Sequence, residues 1–115
     1  MRVVISLLML AILSSCVTVP KPIYYWGAYE DLSYKAVKGN EEADFQKLMV
    51  SFTDIAKNTA KGSSGKIPPG ICGDFGFFLM RQGKTQEGKQ WLLKEKALYP
   101  ESTIFIDSIL KMAEK

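Results

Sequence analysis

Glycine and proline cut this chain into short lengths, and that punctuation limits its fold more than any other feature. Gly39, the Gly62-Ser63-Ser64-Gly65 run, Pro68-Pro69-Gly70, Gly83 and Pro100 leave only segments of ordinary helix length between them. Within those segments the apolar residues recur every three or four positions. Phe45, Leu48, Met49, Phe52, Ile55 and Ala56 make one stripe. Ile71, Cys72, Phe75, Phe78, Leu79 and Gln82 make a second, with Phe77 and Met80 adding apolar surface on another side. A segment greasy on most sides is buried from two directions, so this one is expected at the centre. Gly88, Trp91, Leu92 and Leu98 are expected to face inward from the next segment, and Phe105, Ile106, Ile109, Leu110 and Ala113 from the last. No stretch alternates long enough to argue a strand, so the expected fold class is all-α.

The expected helices run from Tyr29 to Lys38, from Asn40 towards Lys61, from Pro68 to Gln82, from Thr85 to Leu98, and from Ser102 onward. Asn40, Thr85 and Ser102 are of the types that cap helix starts, and Pro68-Pro69 suits a first turn. Gly39 and Gly83 suit helix stops. Gly62 to Gly65 has the composition of a flexible loop.

Ahead of these segments lies a short apolar run, Val3 to Leu13, behind the single basic residue Arg2. It has 11 residues, against the ~20 that a membrane-crossing helix needs. This is the build of a secretory leader. The Leu13-Ser14-Ser15-Cys16 that closes it resembles the lipobox of bacterial lipoproteins. That resemblance implies cleavage after residue 15, acylation of Cys16 and a membrane anchor. Val17 is not the aspartate of the inner-membrane retention signal, so the expected location is the periplasmic face of the outer membrane. The resulting organisation is a leader over 1–15, a lipidated cysteine and tether over 16–28, and one helical domain over 29–115. Pro20 and Pro22 keep the tether extended.

Removing the leader leaves 100 residues, enough for one small domain. At 47% hydrophobic and 23% charged, the composition is that of a globular protein. Net charge is +3, or +2 without Arg2, too little to argue for nucleic acid. The chain has no histidine, which removes histidine-based catalytic triads and the usual zinc sites. No metal or cofactor is expected. Cys72 is expected as a small buried residue, an intermolecular disulfide being the other reading.

Residues 70 to 103 span one 34-residue period whose spacing resembles a tetratricopeptide repeat. The resemblance places Gly76 and Gly88 where two helices of a hairpin approach, Leu79 and Leu92 at large packing positions, and Pro100 at the terminal proline. Two residues depart from the pattern: Cys72 stands at an aromatic position, and Glu95 at a late small one. Residues 29 to 61 resemble a degenerate hairpin of the same kind, and the last helix a solubilising cap. Tyr24-Tyr25-Trp26-Gly27 with Tyr29, Pro68-Pro69-Gly70 and Tyr99-Pro100-Glu101-Ser102 resemble a family of small proteobacterial lipoproteins that contain a domain of unknown function. Its members are typically encoded beside a CsgG-like lipoprotein, similar to the curli-secretion channel protein, and a second small lipoprotein. The resemblance implies an accessory or scaffold subunit of an outer-membrane assembly, with another envelope lipoprotein or complex as partner. It carries no catalytic residues.

Tyr24, Tyr25, Trp26 and Tyr29 are the candidate interface residues. Their cluster beside the anchor suits either the membrane interface or the domain core, and packing is favoured because apolar content continues through Leu32 and Tyr34. Lys84, Lys89 and Lys96 form a basic strip that would suit an acidic partner, unless it is a solvated helix face. Direct action on a bilayer would need an exposed amphipathic helix, for which the 45–56 stripe is the candidate. A hydrolytic enzyme is the weakest reading: Glu41, Glu42 and Asp44 cluster where a helix start favours negative charge anyway. Gly65-Lys66 also lacks the rest of a phosphate-binding loop.

Overall fold

The computed structural model describes Met1 and residues 18–115. Most of the expected leader, together with Cys16, lies outside the described residues. Among those described, five α-helices and two 3₁₀ turns form, and no strand. The fold is all-α. The helices are α1 (Tyr29–Gly39), α2 (Glu42–Lys57), α3 (Ile71–Arg81), α4 (Thr85–Leu98) and α5 (Thr103–Ala113). Helix α1 packs on α2, α3 on α4, and α5 against both α3 and α4. No helix among the described residues is long and apolar enough to cross a membrane.

Helix α3 is the centre, because its surface has three sides in use. Ile71, Cys72, Phe75 and Leu79 join Leu48, Met49, Phe52 and Ile55 of α2 in the main core. The Phe52 and Phe75 rings stack at 5.1 Å, and Phe75 meets Trp91 of α4 at 4.9 Å. Phe77 and Met80 turn instead to a second cluster of Leu92, Ile106 and Ile109. The third side carries Gly73 and Gly76. The stripe expected as a membrane-acting surface is therefore the inside of the domain: Leu48, Phe52 and Ile55 are almost wholly buried.

The α3–α4 crossing is set by two glycines. A Cβ on Gly76 would fall 2.7 Å from the Gly88 carbonyl oxygen, and one on Gly88 would fall 2.6 Å from the Gly76 oxygen. These obstacles are backbone, which cannot swing aside. Leu92 is buried against Gly76 at this crossing, and Leu79 is buried in the main core. Pro100 opens the 3₁₀ turn that follows α4.

Several helix ends differ from expectation. Asn40 does not cap α2. It takes the left-handed conformation (φ 51°, ψ 28°) that ends α1, which Asn tolerates better than other side-chain-bearing residues. The carbonyl of Glu41 then receives the Asp44 and Phe45 amides, and Glu42 and Asp44 supply negative charge to the first turn of α2. Thr85 is already helical and makes no cap, and Ser102 precedes α5 without a side-chain cap bond. Pro68 and Pro69 precede α3 rather than opening it, because Gly70 (φ 90°) turns the chain there.

The glycine-serine run is held rather than free. The chain from Pro22 to Tyr25 crosses Gly62 so closely that a Cβ there would meet the Ile23 carbonyl at 2.7 Å. Ser63 and Ser64 amides donate to the carbonyls of Pro22 and Ile23 at 2.8 and 3.0 Å. The expected tether therefore behaves as a docked strap from Pro22 onward. Three residues expected inward are outside: Phe105 is 62% exposed, and Gln82 and Ala113 are also exposed. The face of α5 that bears Ile104, Phe105 and Met112 is apolar and open, so α5 does not form the polar end expected of a cap.

A Gly76→Ala chain should lose about 1–3 kcal/mol through overpacking, read as a fall of several degrees in the thermal midpoint. Gly39→Ala, whose Cβ meets only the Asp44 carboxylate at 3.6 Å, should unfold like the parent. Equal midpoints for the two variants would remove the glycine crossing from the account.

Candidate interaction groove

Helices α1, α3 and α5 lie side by side and leave a groove of about 480 Å³ between them. Tyr29, Ser33 and Val37, spaced four apart, line it from α1. Asp74, Phe77 and Phe78 form its floor on α3, and Phe105, Ile109 and Met112 line it from α5. A second depression of about 330 Å³ shares Phe77, Ile109 and Met112, and extends the groove to Arg81 and Thr85. The lining is mainly hydrocarbon. Val37, Phe105 and Met112 are 82%, 62% and 63% exposed, an apolar rim that water alone covers poorly.

The fixed polar group in the groove is Asp74. It sits in the first turn of α3, where backbone dipoles favour a carboxylate. The Tyr29 hydroxyl donates to it at 2.6 Å. Burial, then this hydrogen bond and the nearby charge, hold the Tyr29 phenol well above its ordinary range. Tyr29 also meets Phe52 at 5.7 Å, so one ring connects the core to the groove wall.

Behind the floor, Glu95 of α4 is buried, at 1% exposure. Its carboxylate accepts the Gly70 amide at 2.7 Å and the Gly73 amide at 3.3 Å. Helix α3 has no side-chain cap of its own, so Glu95 satisfies its free amides from a neighbouring helix. The Cys72 thiol, wholly buried beside it, is pushed up to about 12 by burial and by the Glu95 charge. The Tyr99 hydroxyl donates to the Ile67 carbonyl at 2.6 Å, and burial, followed by Tyr24 beside it, raises its phenol. Cys72 is a free thiol among the described residues.

The four candidate interface residues do not form one open surface. Tyr24 and Tyr25 are half-buried on the strap. The Tyr25 hydroxyl donates to Asp54 at 2.9 Å, and the Lys61 ammonium lies 4.7 Å from its ring centre. Tyr29 is half-buried in the groove wall, and Trp26 alone is open, at 42%. The basic strip is also divided, since Lys96 pairs with Asp107 at 2.7 Å. The roles of Asp74, Glu95, Val37, Phe105 and Met112 were not legible in the sequence, where Glu95 stood out only as a departure from the repeat and Phe105 as an inward residue. The signal for Glu95 was a glycine-rich helix start lacking any capping side chain, with one acidic residue at a position expected to be small. No group of three or more acidic, cysteine or histidine residues among those described is placed to hold a metal ion.

Residues 23–109, more than half of the chain, match the family described as a domain of unknown function, DUF4810. The chain belongs to the DUF4810 family. The match begins at Ile23, inside the docked strap, so the DUF4810 domain extends beyond the helices. No curated protein and no solved structure matches the chain.

Glu95→Ala should cost this DUF4810 domain about 1–3 kcal/mol, because the buried Gly73 amide and the part-buried Gly70 amide lose their acceptor. Chemical denaturation of the two chains measures it. The Cys72 thiol is neutral when folded and ionises more readily when unfolded, its ordinary value being 9.0. Its contribution is complete below pH 9 and is lost as pH rises towards 12, at up to about 1.4 kcal/mol per pH unit. In a Cys16→Ala chain, where Cys72 is the remaining thiol, it should stay unreactive to a thiol reagent at pH 8 until denaturant is added.

Proposed function

We propose that this chain is a lipid-anchored interaction subunit on the periplasmic face of a bacterial outer membrane, and that the α1–α3–α5 groove seats an apolar segment of another envelope lipoprotein. The observation that carries the reading is the groove itself, with Val37, Phe105 and Met112 exposed along its rim. An amphipathic helix docks into such a groove with its apolar face, and the Asp74 carboxylate on the floor offers it one polar contact. The likeness to tetratricopeptide hairpins supports the same reading, since stacked hairpins present a concave binding surface along their first helices. The Leu13-Ser14-Ser15-Cys16 sequence supports the anchor. The family resemblance supports a CsgG-like secretion or envelope complex as the setting. Catalysis forms no part of the proposal.

A photo-crosslinking side chain at position 37 or 105 should trap one specific envelope protein in intact cells. The same group at Val50, exposed on α2 outside the groove, should not. Equal labelling from all three positions, or none, would refute the groove as the docking site. Cys16→Ala should move the protein out of the membrane fraction, whereas a variant that still sediments with membranes would refute the anchor.

A further inference from the structure

The surface beside the docked strap has a composition different from that of the groove. Lys21, Lys57, Lys61 and Lys66 are all exposed there. Lys21 donates to the Ala60 carbonyl, and Lys61 lies over the Tyr25 ring, which ties both lysines to the junction of strap and loop. Between residues 45 and 73 the sole carboxylate is Asp54, and it accepts bonds from Tyr25 and Asn58. The strap from residue 18 to residue 29 has none. Two apolar side chains of the strap are exposed, Ile23 at 65% and Trp26 at 42%; the Trp26 ring lies against Tyr24 and Tyr29, at the end of the strap that leads into α1. Glu30 and Asp31 bound it where α1 begins.

We propose that this basic face, with Ile23 and Trp26, lies on the bilayer and binds anionic lipid headgroups. The proposal rests on the lipid-anchor reading above. Chain length supplies the argument for a bilayer rather than another partner. The strap is first fixed at Pro22, whose carbonyl accepts the Ser63 amide. From Cys16 to Pro22 are six Cα steps, which reach about 22 Å when fully extended. An acyl anchor on Cys16 therefore keeps the face close to the lipid. Shorter tether conformations bring the lysines within the ~10 Å over which exposed charges act at moderate salt. A lipid chain combined with a basic patch is a paired membrane signal. An exposed tryptophan beside them suits the headgroup layer. The anchor and the face together give the domain one orientation on the membrane.

The test uses the acylated protein purified from membranes and reconstituted into vesicles, with or without a substantial fraction of phosphatidylglycerol. Flotation reads the anchor, and quenching of tryptophan fluorescence by brominated lipid reads the face. Trp26 and Trp91 are the two tryptophans, so Trp91→Phe isolates one and Trp26→Phe the other. Circular dichroism confirms that each remains helical. Trp26 should be quenched on anionic vesicles and Trp91 should not. Lys57→Gln combined with Lys66→Gln should abolish the quenching while flotation persists, as should high salt. Those two lysines make no side-chain hydrogen bond among the described residues, so their removal spares the fold. Floating protein whose Trp26 is unquenched would overturn the face and leave the anchor standing. Trp26 quenching indifferent to phosphatidylglycerol and to both lysines would overturn headgroup recognition. A co-purified protein that protects Lys57 and Lys66 from acetylation, without quenching of Trp26, would assign the face to that protein and overturn the proposal. Native protein that fails to float would sink the anchor and this inference with it.

Discussion

The fold depends on one buried carboxylate. Helix α3 is packed from three directions, and its start is turned by Gly70 without any local capping side chain. Without Glu95 the Gly73 amide would be buried with no acceptor, and the part-buried Gly70 amide would have to turn to water. Glu95 reaches across from α4 to Gly70 and Gly73 and is itself sealed from water. An anion at a helix N-terminus is favoured both by the free amides and by the aligned backbone dipoles. The contact also fixes the register of α4 on α3, because a shift of one turn would move the carboxylate away from both glycines. Gly76 and Gly88 lock the same pair at the other contact point. One electrostatic pin and one backbone crossing thus hold the central hairpin.

Aromatic rings extend that hairpin towards α1 and the groove. Phe52 stacks on Phe75, Tyr29 leans on Phe52, and the Tyr29 hydroxyl reaches Asp74 in the first turn of α3. The floor of the groove is thus built from the same helix whose start Glu95 holds. Groove shape and core stability are physically linked, and exposed rim residues such as Val37 are the ones free to vary without disturbing the core.

Much of the helical layout was legible in the sequence because glycine, proline and a three-to-four-residue apolar period are local signals. Helix α3 stood out as central because Phe77 and Met80 added a second apolar side. Caps were less legible. Asn40, Thr85 and Ser102 have the right chemistry for a helix start, but each backbone conformation was already determined by the preceding turn. Phe105 was misplaced for another reason: α5 has apolar residues at 104, 105, 106, 109 and 110, so the period alone does not say which side is covered. Glu95 was visible as a departure from the repeat pattern, yet its purpose lies 25 and 22 residues away along the chain. The groove was illegible because it belongs to three helices at once, and the exposure of its rim is a property of their packing.

The strap over Gly62 gives the chain an order of assembly. Its first contacts join residues as much as 39 positions apart, so the strap, made before its seat, has nothing to lie on until the Thr59–Lys61 turn and the glycine after it have followed. Closure of such a long loop waits on the distant half arriving. Until the strap closes, the carbonyls of Pro22 and Ile23 and the amides of Ser63 and Ser64 are left to pair with water.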